Sequence, residues 1–224
     1  MTLEVRYHKL IEDIQSACSK ANRDVSEITL IAVTKYVTID ETKQVHALGI
    51  HDLGENRVKE AKEKIEEIED VTWHFIGPLQ SRKVKEIAEQ INYFHALDRL
   101  RIAKELNKRR SSPLECFVQV NISKEATKGG VEQEALKDFI QSLAGLENIR
   151  VVGLMTMAPH SDDESLVRGV FKELNKCRDD IQALDLPYAP CQYLSMGMSN
   201  DFEWAILEGA THLRIGSTLV NPER

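Results

Sequence analysis

The hydrophobic positions of this chain fall into two alternating patterns. Short, nearly continuous apolar runs are bounded by Gly, Pro, Asn or Asp, and the stretches between them carry apolar residues at helical spacing. The run Thr29-Leu30-Ile31-Ala32-Val33-Thr34 is rich in β-branched residues, lacks proline and leads into Lys35. Further runs lie at 50–53, 72–76, 93–97, 115–122, 149–155, 192–196 and 212–215. Ahead of the first strand, residues 3–21 set Leu3, Tyr7, Leu10, Ile11, Ile14 and Ala17-Cys18 on one face of an amphipathic helix. Thr38 or Asp40 caps the next helix, which stops at Gly49. Residues 57–68 predict a charged helix with Ala61, Ile65 and Ile68 inward and its Lys and Glu residues in solvent. Helices are also predicted from near Ser81, after Asp98 as N-cap, over 132–144, from Asp162 or Asp163 to about Leu184, and over 201–208.

Eight strands alternating with helices require right-handed crossovers and a parallel sheet. A chain of 224 residues suits eight such units. The predicted fold class is therefore α/β, a single-domain (β/α)8 TIM-type barrel over residues 1–224 with an extra N-terminal helix. An open doubly wound sheet is the rival, but the G-x-G-x-x-G turn that would support it is missing after the first strand. Few residues follow the last strand, so the N-terminal helix is expected to cover the position of a full eighth helix.

Composition narrows the function classes. Hydrophobic residues make up 42% and charged residues 29%, the balance of a globular chain. A formal net charge of −7 argues against general nucleic-acid binding, which needs clustered cations. No apolar run approaches the roughly 20 residues of a membrane span. The N-terminus mixes charges of both signs and has no apolar core of a secretory signal, so the expected location is cytoplasmic. Cys18, Cys116, Cys177 and Cys191 form no C-x-x-C pair and are expected to be free thiols. The histidines show no metal-ligand spacing, so no metal site is expected.

In barrels of this kind chemistry sits at the C-terminal ends of the strands. The residues there are Lys35, Glu55-Asn56, Gly77, Gln80 and Lys83, Asn121 and the Lys128 loop, Met155-Thr156, Ser199-Asn200-Asp201, and Arg214, Gly216 and Ser217; His74 lies within its strand. Period two from Ile31 and Val33 puts Lys35 on an inward face. A desolvated amine there would lose basicity and become nucleophilic, as Schiff-base formation with an aldehyde requires. The same pattern also fits a lysine that ends a strand and snorkels to water. Gly197-Met198-Ser199 and Gly216-Ser217 form small-residue turns whose backbone N–H groups suit an anion, and they read equally as helix caps and turn glycines. With a phosphate seat on one side and a reactive lysine on the other, the ligand would be a phosphorylated aldehyde. Arg214 needs an acceptor, for which a pyridine nitrogen or Glu55 would serve.

Seven motifs stand in order: Ala32-Val33-Thr34-Lys35, Gly54-Glu55-Asn56, Trp73-His74-Phe75-Ile76-Gly77-Pro78-Leu79-Gln80, Val118-Gln119-Val120-Asn121, Gly153-Leu154-Met155, Leu194-Ser195-Met196-Gly197-Met198-Ser199 and Arg214-Ile215-Gly216-Ser217. Together they make the chain resemble the pyridoxal 5′-phosphate homeostasis protein family, whose fold is that of the alanine racemase N-terminal barrel. The resemblance implies that Lys35 holds pyridoxal 5′-phosphate as an internal aldimine. It implies that Ser199, Gly216 and Ser217, with Met198 in the same turn, hold the phosphate, that Arg214 faces the pyridine nitrogen, and that Asn56 and His74 line the pocket. An arginine at that nitrogen disfavours its protonation and leaves the ring a weaker electron sink. Arg82, Asn200 and Ser217 depart from the family pattern, the last keeping its hydroxyl.

The resemblance thus implies a carrier in pyridoxal phosphate homeostasis without evident turnover, acting as a monomer and serving apo pyridoxal phosphate enzymes as possible partners. The alternative is a pyridoxal phosphate-dependent amino-acid racemase or lyase. Racemases of this fold add a C-terminal β domain that supplies a tyrosine base, and two-base chemistry needs a second group in reach of the substrate carbon. A phosphosugar barrel using Lys35 without cofactor is a third reading. Lys128, beside Gly129 and Gly130, is expected on a mobile loop where its amine would assist cofactor entry or release, or simply be solvated.

Overall fold

Eight parallel strands close into a ring. They are β1 (Thr29–Val33), β2 (Asp52–Glu55), β3 (Thr72–Phe75), β4 (Tyr93–Leu97), β5 (Leu114–Asn121), β7 (Ile149–Met155), β8 (Tyr193–Ser195) and β9 (His212–Ile215). β9 returns to β1 with Ile31 opposite Arg214 and Ala32 opposite Ile215, so the barrel has no free edge. β6 (Val131–Glu132) is a two-residue strand that pairs with the end of β5. The computed structural model describes residues 1–125 and 129–220. Among these no helix is long and apolar enough to cross a membrane.

The crossovers carry α2 (Ile39–Ala47), α3 (Val58–Glu67), α4 (Ser81–Ile87), α5 (Leu100–Arg109), α6 (Leu136–Gln141), α7 (Glu164–Gln182) and α8 (Phe202–Leu207). The N-terminal α1 (Leu3–Lys20) packs on α8, and Arg6 Nε donates to the Leu219 carbonyl at 2.7 Å. Thr38 caps α2 in a capping box with Glu41, and Asp163 caps α7 by accepting from the Leu166 N–H. Asp98 is not the cap of α5. Arg99 holds that position without a side-chain bond, and its Nε lies 2.9 Å from Asp98 Oδ1.

Two element boundaries differ from the pattern in the sequence. The second strand occupies 52–55 rather than 50–53, because its ladder sets Leu53 and Gly54 against Ala32 and Val33. A Cβ at Gly54 would stand 3.0 Å from Ile31 Cγ2, so glycine lets the two strands approach. The helix expected over 132–144 is shorter, since β6 and a 3-10 turn at Gln133–Ala135 take its beginning.

Alternation along each strand separates two cores. Between strands and helices lies an apolar layer that includes Leu53, Phe75, Phe94, Leu106 and Phe171, with all four cysteines free and buried. The inside of the barrel is different. Branched aliphatics usually fill it, but here the rings of His74, Tyr93, His95, Phe117 and His212 pack against one another, two pairs of them stacked. His95 and Phe117 centroids are 4.3 Å apart, and those of His74 and Tyr93 4.6 Å. Burial pushes the basicity of all three imidazoles down: His212 to about 3, His95 well below its ordinary range, and His74 to a degree opposed by Asp52.

One ion pair sits inside the outer layer. Lys64, on the helix expected to show only solvated charges, is buried; its Nζ lies 2.6 Å from Glu55 Oε1 and 2.7 Å from the Thr34 carbonyl. Thr34 Oγ1 donates to the same carboxylate oxygen at 2.6 Å. The last turn of α3 is thereby tied to the backbone just before Lys35.

Two outcomes follow from these buried groups. Lys64→Ala strands the Glu55 carboxylate and should cost about 3–5 kcal/mol in urea denaturation, most of it regained in the Lys64→Met, Glu55→Leu double variant. Equal losses in both would show that the pair is not what anchors this corner. The histidines act through linkage. Their folded-state pKa values lie below the unfolded value of about 6.5, so the unfolded chain binds more protons in acid. Stability should therefore be intact above that pH and fall as pH drops from 6.5 toward 3, by on the order of a few kcal/mol from His212 alone. Unfolding free energies across that range should show a shallower acid loss in His212→Phe.

Candidate functional site

A cavity of about 600 Å³ opens at the C-terminal ends of the strands. Seven of the eight residues singled out in the sequence line it: Lys35, Asn56, Met198, Ser199, Arg214, Gly216 and Ser217.

Lys35 stands just past β1. The Thr34 N–H still bonds to the Gly54 carbonyl at 3.0 Å, continuing the ladder, and the chain then turns through Tyr36 at φ 71°. Lys35 is half-buried beside Val33, and its Nζ is 5.7 Å from the Tyr36 ring centre. Arg57 covers the same ring at 5.2 Å. The amine therefore reaches the cavity from a backbone position held on its outer side by Glu55 and Lys64.

The turns after β8 and β9 meet at Ser199. Its Oγ receives the N–H groups of Gly216 and Thr218, each at 3.3 Å. Gly197 has φ 93°, and a Cβ on it would sit 2.7 Å from that of Ala205, so only glycine fits this bend. The Met198 N–H donates to Asp201 Oδ1 at 2.5 Å, while burial raises the Asp201 carboxyl above the usual range. Backbone N–H groups and a hydroxyl gather in these turns, as the anion seat expected from the sequence requires, and here Ser199 Oγ itself takes two of those N–H groups. This seat is not across the barrel from Lys35. Closure of β9 onto β1 makes the two neighbours, with Gly216 lying beside Val33.

Arg214 forms the floor. It is 5% exposed, and its guanidinium donates to Ser195 Oγ at 2.6 Å and to the Thr156 carbonyl at 2.9 Å. Among the described residues no carboxylate pairs with it; the nearest influence is Asp201, and burial lowers its pKa to about 10. Glu55 is not its acceptor, because that side chain points out of the barrel to Lys64. Asn56 supplies a second polar feature. Its Oδ1 is buried without a partner among the described residues, and Gly77 packs so close that a Cβ there would meet the Asn56 carbonyl at 2.5 Å. A buried acceptor left open beside a cavity points to a ligand donor.

His74 does not line the cavity. It lies deeper in the barrel, with Nδ1 2.8 Å from His95 Nε2 and Nε2 2.9 Å from Asp52 Oδ1. Gln80 is exposed and Lys83 pairs with Glu86, so neither lines the cavity. Lys128 lies outside the described residues. Lining residues not placed at the site from sequence include Tyr36, Asp98, Gln119 and His160. Asp98 directly follows the end of β4 and Tyr36 follows Lys35, a signal available in the sequence. Gln119 lies within β5 and carries no such signal; its Nε2 donates to the Gly129 carbonyl at 2.7 Å.

Comparison with known proteins agrees with this geometry. The model of the alanine racemase N-terminal domain matches residues 10–222. A relative from Aquifex aeolicus strain VF5, named pyridoxal phosphate homeostasis protein, is 39% identical over 96% of this chain and 95% of its own. The structure of PipY from Synechococcus elongatus PCC7942, solved with PLP bound, superposes with a TM-score of 0.84 at 27% identity, covering 98% of this chain and all of that one. Alanine racemase from Corynebacterium glutamicum shares the fold at a TM-score of 0.69 and 14% identity, over 93% of this chain and 59% of that one. The chain thus belongs to the pyridoxal phosphate homeostasis protein family, built on the alanine racemase N-terminal barrel.

Proposed function

We propose that the cavity takes pyridoxal 5′-phosphate and that the protein serves as its carrier in pyridoxal phosphate homeostasis. The observation that carries the reading is adjacency. The amine of Lys35 and the anion seat at Ser199 and Gly216 project from neighbouring strand ends. Pyridoxal phosphate bears its aldehyde and its phosphate-carrying arm on adjacent ring carbons, with the ring nitrogen across from the aldehyde. When bound, it supplies an aldehyde carbon with which the Lys35 amine condenses, releasing water.

The chain's own residues divide the remaining work. Ser199, Gly216 and Ser217 hold the phosphate, and the Met198 turn shapes its seat. Arg214 faces the ring nitrogen from the floor, where a guanidinium that keeps its proton disfavours a second proton on the ring. Asn56 offers its open Oδ1 to a donor on the ring's edge. His74 acts through other residues rather than by touching the ligand. The protein works in the cytoplasm as a monomer, and apo enzymes that need this cofactor are its recipients. The relatives' name and the ligand in PipY support this reading.

Purified protein incubated with pyridoxal phosphate should turn yellow, with an absorption band that survives gel filtration. Lys35→Ala should lose the band. Ser199→Ala should keep it but weaken affinity tenfold to a hundredfold, the size of about 1.5–3 kcal/mol for a hydrogen bond to a charged group. Colourless protein that takes up no pyridoxal phosphate would sink the ligand reading, and substantial racemisation of alanine by the loaded protein would replace the carrier with an enzyme.

A further inference from the structure

The buried histidines do more than fill space. A single chain of hydrogen bonds runs through the barrel from the cavity floor to the opposite end. Arg214 donates to Ser195 Oγ at 2.6 Å; Ser195 Oγ lies 2.8 Å from His95 Nδ1; His95 Nε2 lies 2.8 Å from His74 Nδ1; and His74 Nε2 lies 2.9 Å from Asp52 Oδ1. Asp52 is the first residue of β2, at the N-terminal mouth of the barrel, and its side chain is 31% exposed.

The two ends decide the direction of every link. A guanidinium can only donate and a carboxylate can only accept. Asp52 therefore requires the proton of His74 on Nε2, which leaves Nδ1 as the acceptor. His95 must then carry its proton on Nε2 and accept at Nδ1. Ser195 must donate to His95 and accept from Arg214. Each imidazole is neutral in this arrangement, in keeping with its complete burial. His212, the third imidazole of the cluster, is not a link; its Nδ1 is 2.9 Å from Thr211 Oγ1.

We propose that Ser195, His95, His74 and Asp52 are positioning residues for Arg214: a one-directional relay that lets a carboxylate at the far mouth of the barrel orient and polarise the guanidinium at the cavity floor. Aligned bonds of this kind strengthen one another in a low-dielectric interior. The relay offsets the burial of an arginine that has no paired carboxylate among the described residues, and it fixes the direction of the guanidinium before any ligand arrives. The relay rests on the ligand reading above only for what Arg214 faces; its own existence is a property of the protein without cofactor.

Histidine-ring 15N–1H correlation spectra of the cofactor-free protein test it. His74 and His95, assigned by His74→Asn and His95→Asn, should both show the Nε2–H tautomer and no titration between pH 6 and 8. Asp52→Asn is the informative variant, because an amide can donate as well as accept and so releases the direction. It should shift His95, two links away, toward the Nδ1–H tautomer, and weaken pyridoxal phosphate binding several-fold while circular dichroism stays unchanged. Asp52→Glu should restore both. An Nδ1–H tautomer at His95 in the unsubstituted protein, or a His95 signal indifferent to Asp52→Asn, would overturn the relay. Failure of the unsubstituted protein to take up pyridoxal phosphate would instead overturn the ligand reading and leave the tautomer result to decide the relay.

Discussion

A guanidinium is buried at the centre of this barrel with no carboxylate against it among the described residues, and much of the polar interior connects to it. Removing such a charge from water is costly unless its donors find acceptors. Two do, on Ser195 and on the Thr156 carbonyl. Ser195 can accept from Arg214 and still be satisfied only if its own proton goes elsewhere, and His95 Nδ1 takes it. From there the same logic leads to His74 and Asp52. An aliphatic filling would have broken the sequence of acceptors at its first step. The polar barrel interior is thus a consequence of one arginine rather than a set of separate oddities.

Strand alternation keeps this network apart from a second one. Val33, Lys35, His212 and Arg214 point inward, while Thr34 and Glu55 point outward to α3. Lys64 meets Glu55 and the Thr34 carbonyl on that outer side. Lys35 is therefore fixed from behind by an ion pair it never touches. Its amine keeps the freedom of a flexible side chain, and the backbone that carries it does not. A residue that must reach a ligand benefits from that combination, since ordering the stem before binding lowers the entropy lost on binding.

The fold was legible because strand and helix periods differ and alternate cleanly. β5, written Cys-Phe-Val-Gln-Val-Asn, and the eight-fold repetition left little room for another architecture. The strand ends were legible too, since a parallel barrel gathers them on one face, and seven of the eight named site residues line one cavity. The two misplaced features have different causes. Helical spacing reports which side of a helix faces inward, but not what a long side chain can reach. Lys64 sits next to Glu63 in a run of charges that looks solvated, and only the approach of β2 to α3 reveals its partner. His74 lies within a strand beside motif residues that do line the cavity, and its depth along the barrel axis is set by the register with β4, which the linear sequence does not show.

Asn56 and Glu55 make the same point at the level of neighbouring residues. One step along the chain turns a side chain from the helix layer to the cavity. Glu55 is turned to structure: its Oε1 holds Lys64 and Thr34 in the helix layer, while its Oε2 is buried there without a partner among the described residues. Asn56 has a buried oxygen that no described residue satisfies, and it lies beside the cavity. Both are polar, both follow the glycine at 54, and the sequence alone marks them as a pair. The pleat separates them, giving the first to stability and leaving the second open to a ligand. The same division, repeated where Thr34 meets Lys35, is how a barrel this small carries a polar site without surrendering the apolar layer that holds it together.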